Sequence, residues 1–180
     1  ISAPSRRSVK SVMWERRINA PVTTIVGRLS DAVASLCGLR HRGGWEGQAA
    51  LALEGALDPD ARGEALPFAV RDASETRLEL DWAPALARLL DLLRDGAPVG
   101  RISAGFHRGL AQAIAEIAAR LKARDVALTG GCFQNAALTE ASIAALRARG
   151  IAPHWHHRVP PNDGGLALEI DIVLGVDLEM

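Results

Sequence analysis

Thr129-Gly130-Gly131-Cys132-Phe133-Gln134-Asn135 joins an apolar stretch to a helical one through two adjacent glycines. At the carboxyl end of a strand such glycines let the backbone approach a ligand that a Cβ would hold off. The helix start that follows offers N–H groups to an anion or a polar sugar. Asn135 sits where an N-cap is expected, so the same residues also suit an ordinary capped turn. A second pattern is Val159-Pro160-Pro161-Asn162-Asp163-Gly164-Gly165-Leu166-Ala167. Its prolines impose an extended approach, its glycines permit close contact, and Asp163 could hold a cation or simply favour the dipole of the helix it opens. A third is the pair Asp31 and Glu46, placed near a helix-loop-helix corner. Two such carboxylates can accept hydrogen bonds from a vicinal diol such as ribose, or be solvated surface acids.

Other chemistry-bearing residues are read more plainly. His154 and His156 alternate onto one face of a strand, but no third ligand follows at a metal-site spacing, so a surface or interface role fits better. His107 reads as packed or capping. Cys37 and Cys132 lie far apart within apolar runs and read as reduced thiols filling space, and no Ser-His-Asp or Cys-His nucleophile pattern emerges.

The elements that must position these groups follow from periodicity. Gly27 to Leu39 predicts a helix burying Leu29, Val33, Leu36 and Cys37. After Gly43-Gly44, Trp45 to Leu57 predicts another, with Ala49, Ala50, Leu53 and Leu57 on its apolar face and Asp58-Pro59 as its stop. Pro67 to Val70 and Arg77 to Leu80 predict two short strands of a hairpin. Helices are expected over Ala83 to Arg94 and Ile102 to Lys122, the latter with Phe106, Leu110, Ile114, Ile117 and Leu121 inward. Asp125 to Thr129 is a strand, Asn135 to Arg149 the helix leaving it, Ala152 to His156 a further strand, and Asp163 to about Leu174 a last helix. The class is α/β, helix-rich around a small mixed sheet.

Composition excludes several classes. Among 180 residues, 21 Lys and Arg balance 21 Asp and Glu, so no basic field attracts nucleic acid. No segment has the uncharged apolar length of a membrane span or the h-region of an export signal, and a cytoplasmic location is expected. The polar, basic start at Ile1 points to a piece of a longer protein, with 1–18 as a linker or helical lead-in from a missing upstream lobe and 19–180 as a nucleotide-binding lobe.

In order along the chain, Asn19-Ala20-Pro21, Gly27-Arg28-Leu29-Ser30-Asp31-Ala32-Val33-Ala34, Glu46-Gly47-Gln48-Ala49-Ala50, Ile102-Ser103-Ala104 with Phe106-His107, Gly130 to Asn135 and Pro160 to Leu168 resemble the final part of the HypF carbamoyltransferases of hydrogenase maturation. The resemblance implies the C-terminal lobe of an actin-like, sugar-kinase-like ATPase fold, shared with tRNA threonylcarbamoyl-adenosine synthases and O-carbamoyltransferases. It implies that carbamoyl phosphate and ATP give a carbamoyl-adenylate, whose carbamoyl group passes to the C-terminal cysteine of a HypE-like acceptor to become a cyanide ligand of a nickel-iron centre. On matching positions, Asp31 and Glu46 would bind ribose. Gly130, Gly131 and Asn135 would hold the nucleoside and its near phosphate, and Asp163 would act as catalytic residue and ligand of a divalent metal (Mg, Zn or Fe).

Departures bear on that expectation. The family's metal site also draws a His-x-x-x-His pair from the preceding lobe, and this chain has none. Ile25, Ser30, Trp45 and Glu169 replace a small hydroxyl residue, Phe, Tyr and Gly. The chain is then either one lobe of an active enzyme, inactive on its own, or a diverged docking module that only binds a maturation partner. A sugar kinase or the tRNA-modifying relative fits the Glu46 and Pro160 blocks less well.

Overall fold

The computed structural model describes residues 15–16, 26–61, 63–74 and 77–161. Leu29, Val33 and Ala34 recur at helical spacing and turn one side of α1 (Val26–Leu36) inward, leaving Asp31 on the opposite side. Leu36, expected in the core, is instead exposed: it ends the helix as the chain turns at Gly38, and Leu39 N–H bonds back to the Ala34 carbonyl. The next helix, α2 (Gln48–Gly55), is shorter than the periodicity suggests. Gly47 adopts φ 81°, a left-handed conformation that costs glycine nothing, so Trp45 and Glu46 lie in a turn and not in the helix. Ala49 and Leu53 are its buried residues.

A hairpin follows, β1 (Ala69–Ser74) paired antiparallel with β2 (Arg77–Asp81), its register running from Ala69 opposite Asp81. Helix α3 (Ala83–Arg94) carries Pro84 in its first turn and buries Ala85, Leu89 and Leu92. The long α4 (Val99–Arg120) buries Ile102, Phe106 and Leu110 with a run of small residues between them. Leu121, predicted on its inner face, is exposed at the helix end. Strand β3 (Asp125–Leu128), a 3-10 turn over Gly131–Gln134, helix α5 (Ala136–Arg147) and strand β4 (Ala152–Trp155) form a βαβ unit, with β3 and β4 parallel and Leu128 opposite Trp155.

The single small mixed sheet expected from the sequence is two separate two-stranded ones among the described residues, one antiparallel and one parallel. The helices hold them together. One core, including Val33, Leu53, Leu66, Leu89, Ile102, Phe106 and Leu138, gathers α1 to α5. A second, with Ala115, Leu128, Leu146 and Ile151, seats the βαβ unit on the far half of α4. The last predicted helix, from Asp163, and the 1–18 lead-in lie outside the described residues apart from Glu15 and Arg16. No helix among the described residues is long and apolar enough to cross a membrane.

Candidate nucleotide site

Asp31 projects from the polar side of α1 because Leu29 and Val33, two positions to either side, point into the core. Glu46 is delivered from the turn before α2. Both line one cavity of about 560 Å³, within the range of small-molecule sites. Gly43 and Gly44 line it too, and the Gly44 N–H bonds Gln48 Oε1 at 2.8 Å, fixing the loop against the helix start. Asp31 already has a cation: Arg28 Nη1 stands 2.9 Å from its carboxylate. A diol bound here shares that carboxylate with Arg28 or displaces it. Trp45, half-exposed, forms part of the wall with His41, and Arg40 and Arg42 give it a cationic side.

The glycine bend forms a second cluster. Gly130 has φ 96° and ψ 162°, a conformation open essentially to glycine alone, and among the described residues no atom beyond the chain neighbours lies within 4 Å of where a Cβ on Gly130 or Gly131 would stand. Among the described residues, nothing fills the space in front of the bend. Gly130 N–H donates to the Pro161 carbonyl at 2.6 Å, tying the bend to the start of the Pro160-Pro161-Asn162-Asp163 segment. Asn162 and Asp163 themselves lie outside the described residues.

The N-terminus of α5, expected to present free N–H groups, is largely satisfied from within. Asn135 Oδ1 accepts from Leu138 N at 2.8 Å, and Glu54 on α2 accepts from Ala137 N at 3.2 Å. A carboxylate thus already occupies the positive end of the helix dipole. The amide side of Asn135 donates to Nε2 of His107 at 3.0 Å. His107 is 3% exposed and gives its Nδ1 proton to the Ser103 carbonyl at 2.8 Å. Burial lowers its basicity, opposed by that carbonyl and by the field of Glu54.

Asp31 and Glu46 are thus brought together, and Gly130, Gly131 and Asn135 stand in a neighbouring group. Helix α1 packs against the turn after the bend, so that it borders both groups, and the Gly27 backbone, one helical turn before Asp31, favours the thiolate of Cys132. Burial pushes the Cys132 thiol up, with the Gly27 backbone opposing, and burial also raises Cys37. Both are free thiols, as expected of apolar filler. His154 pairs with Asp125 at 2.9 Å and His156 with Thr129 at 3.0 Å, and among the described residues no three His, Cys, Asp or Glu side chains converge to hold a metal.

A family model described as the second subdomain of the carbamoyltransferase Kae1-like domain matches residues 2–168. The chain belongs to the HypF carbamoyltransferase family. It is 37% identical over 156 residues to the carbamoyltransferase HypF of Synechocystis sp., covering 87% of this chain and 20% of that one. With the HypF of Rhodobacter capsulatus the identity is 40% over 178 residues, covering 96% and 22%. The chain therefore spans about a fifth of the length of these relatives. Its backbone is similar to a crystal structure of full-length HypF in a phosphate- and nucleotide-bound form, with TM-score 0.75, 29% identity and coverage of 89% of this chain and 22% of that one. The HypF structure from T. kodakarensis, 24% identical with TM-score 0.66, supports the fold.

Within this HypF-family chain, His107, which the sequence suggests is packed or capping, is both: it is buried, and it supports the N-cap residue of α5. Its spacing of four from Ser103 on the buried face of α4 was the available signal. The partner, Asn135, comes from another helix start 28 residues away, and Glu54 reaches the same place from α2, so neither contact is written in local spacing.

Proposed function

We propose that this chain is the nucleotide-holding lobe of an ATP-dependent carbamoyltransferase with an actin-like, sugar-kinase-like architecture. The observation that carries the proposal is the convergence of Asp31 and Glu46 on one cavity large enough for a nucleoside. The paired carboxylates would accept from the ribose hydroxyls, and the open face of Gly130-Gly131 would admit the near phosphate. Nucleotide in a similar HypF structure supports the same reading.

In this reading the lobe holds a carbamoyl-adenylate: water frees carbamate and phosphate from carbamoyl phosphate, and the carbamate oxygen attacks the α-phosphorus of ATP as pyrophosphate leaves. A cysteine thiolate at the C-terminus of a HypE-like acceptor attacks the carbamoyl carbon, the new C–S bond replaces the C–O bond to AMP, and AMP leaves. The chain's own contribution is orientation of this mixed anhydride and its separation from water. An upstream lobe of the same enzyme supplies the rest of the cleft. Asp163, two residues along from Pro161, is the proposed cation ligand, and its remaining donors come from outside the described residues. A divalent ion there would neutralise phosphate charge. The reaction is cytoplasmic in this reading.

Calorimetric titration of the 180-residue chain with AMP tests the site. Sub-millimolar binding that weakens at least tenfold in Asp31→Ala and in Glu46→Ala is expected. Binding indifferent to both substitutions removes the ribose assignment, and no binding at all favours the docking-module reading. In the longer protein, Asp163→Ala is expected to abolish carbamoyl transfer without loss of fold, and normal turnover would refute its role.

A further inference from the structure

His107 sits at a point where four backbone and side-chain groups fix the direction of every proton around it. The Ser103 carbonyl, 2.8 Å from Nδ1, can only accept, so Nδ1 carries the hydrogen and Nε2 presents a lone pair. On the other side, Leu138 N–H can only donate, so the atom of Asn135 that faces it at 2.8 Å is the oxygen. The amide nitrogen of Asn135 therefore faces Nε2 and donates to it. The tautomer of the imidazole and the flip of the amide, ordinarily free assignments, are each forced by a backbone group whose role cannot change.

Ser103 closes the other end: its hydroxyl donates to the Leu53 carbonyl at 2.6 Å, tying α4 to α2. The line Leu53, Ser103, His107, Asn135, Leu138 thus runs from α2 through α4 to the first turn of α5.

We propose that His107 is a positioning residue for the nucleotide site: by accepting the Asn135 amide it holds the Gly130-to-Asn135 turn and the start of α5 in the arrangement that meets the ligand. This deepens the functional reading above and rests on it. Protonation of the ring is incompatible with the arrangement. A second N–H at Nε2 would meet the Asn135 amide N–H donor to donor, and flipping the amide to relieve that would turn its nitrogen toward Leu138 N–H. Glu54 on α2 is the charged group whose field reaches the ring; Ser103 on its own helix and Asn135 at the start of α5 are neutral. The arrangement therefore needs a neutral His107, and ligand affinity should follow its protonation state.

Three measurements decide it. Nitrogen-detected NMR of the chain is expected to show His107 as the Nδ1–H tautomer, and an Nε2–H tautomer would overturn the proposal. AMP affinity is expected to fall about tenfold in His107→Ala and to return to within about threefold of wild type in His107→Gln, whose side-chain oxygen can accept from Asn135. Equal affinity in His107→Ala and wild type would overturn it. Should His107→Ala not fold, the pH arm suffices: affinity for adenosine, which carries no group titrating here, is expected to weaken in wild type as pH falls through the folded-state range of His107, which burial sets below the ordinary 6.5, and to stay level in His107→Gln. Parallel profiles would sink the idea. If wild type binds no nucleotide, the functional reading fails by itself, and the tautomer still reports whether His107 holds Asn135.

Discussion

Ser142 is fully buried between α5 and its neighbours, yet its hydroxyl has no hydrogen-bond partner among the described residues. A buried hydroxyl without a partner carries its desolvation cost uncompensated, and serine is a poorer helix former than alanine. Ser142→Ala is therefore expected to stabilise the fold by about 1 kcal/mol, read as a higher denaturation midpoint. A drop in the midpoint would mean that the hydroxyl is satisfied after all. Ser103, equally buried, is the contrast: its hydroxyl links two helices, so the same substitution there removes a bond and orphans a carbonyl. Two serines of equal burial thus call for opposite outcomes, and only their partners distinguish them.

Among the elements, α4 is the one against which the others are placed, and small residues let them come close. The segment around Leu66 lies directly on its backbone: Leu66 N–H donates to the Gly105 carbonyl at 2.9 Å, and a Cβ on Gly109 would stand 2.2 Å from the Leu66 carbonyl oxygen. Arg108 clamps the same segment by donating to the carbonyls of Ala61 and Gly63. Gly109→Ala forces backbone from backbone, with no flexible side chain to yield, and is expected to cost about 3 kcal/mol by chemical denaturation. Gly55→Ala, where nothing lies within 4 Å, serves as control and is expected to be neutral or slightly stabilising. In α5, Asn135 and Glu54 cap the first turn, which makes the start of this helix part of the site's framework rather than an empty anion cradle.

For the molecule as a whole, His107 makes stability depend on pH in a definite direction. Its folded-state basicity is lowered, chiefly by burial. On acidification the unfolded chain takes up a proton near pH 6.5, while the folded chain resists until lower pH. In that window the unfolded state binds more protons, so stability falls as pH drops below about 6.5. Thermal melts at a series of pH values should show this loss in wild type and lack it in His107→Gln; matching profiles for the two would assign the acid sensitivity elsewhere.

Much of this was legible beforehand. Apolar periodicity located α1, α3, α4, α5 and the strands of the βαβ unit, because burying a helical stripe or a short run such as Asp125 to Leu128 leaves a local mark. Boundaries moved where glycine decided them: Gly47 in a left-handed conformation ended what periodicity carried back to Trp45. Leu36 and Leu121 kept the helical phase but ran past the cover that neighbouring elements supply, so they are exposed.

The order of the motif blocks determined the family, and the residue types of Asp31, Glu46, Gly130, Gly131 and Asn135 marked the candidate site. Tertiary structure decided who meets whom. It placed Asp31 and Glu46 on one cavity wall, bound Asp31 to Arg28, filled the α5 N-terminus with Glu54, and gave His107, read as packed or capping, the Asn135 amide to accept from. The reason is physical: periodicity records whether a side chain faces inward, whereas hydrogen bonds between residues 28 or 83 positions apart depend on how helices dock, which no local spacing encodes.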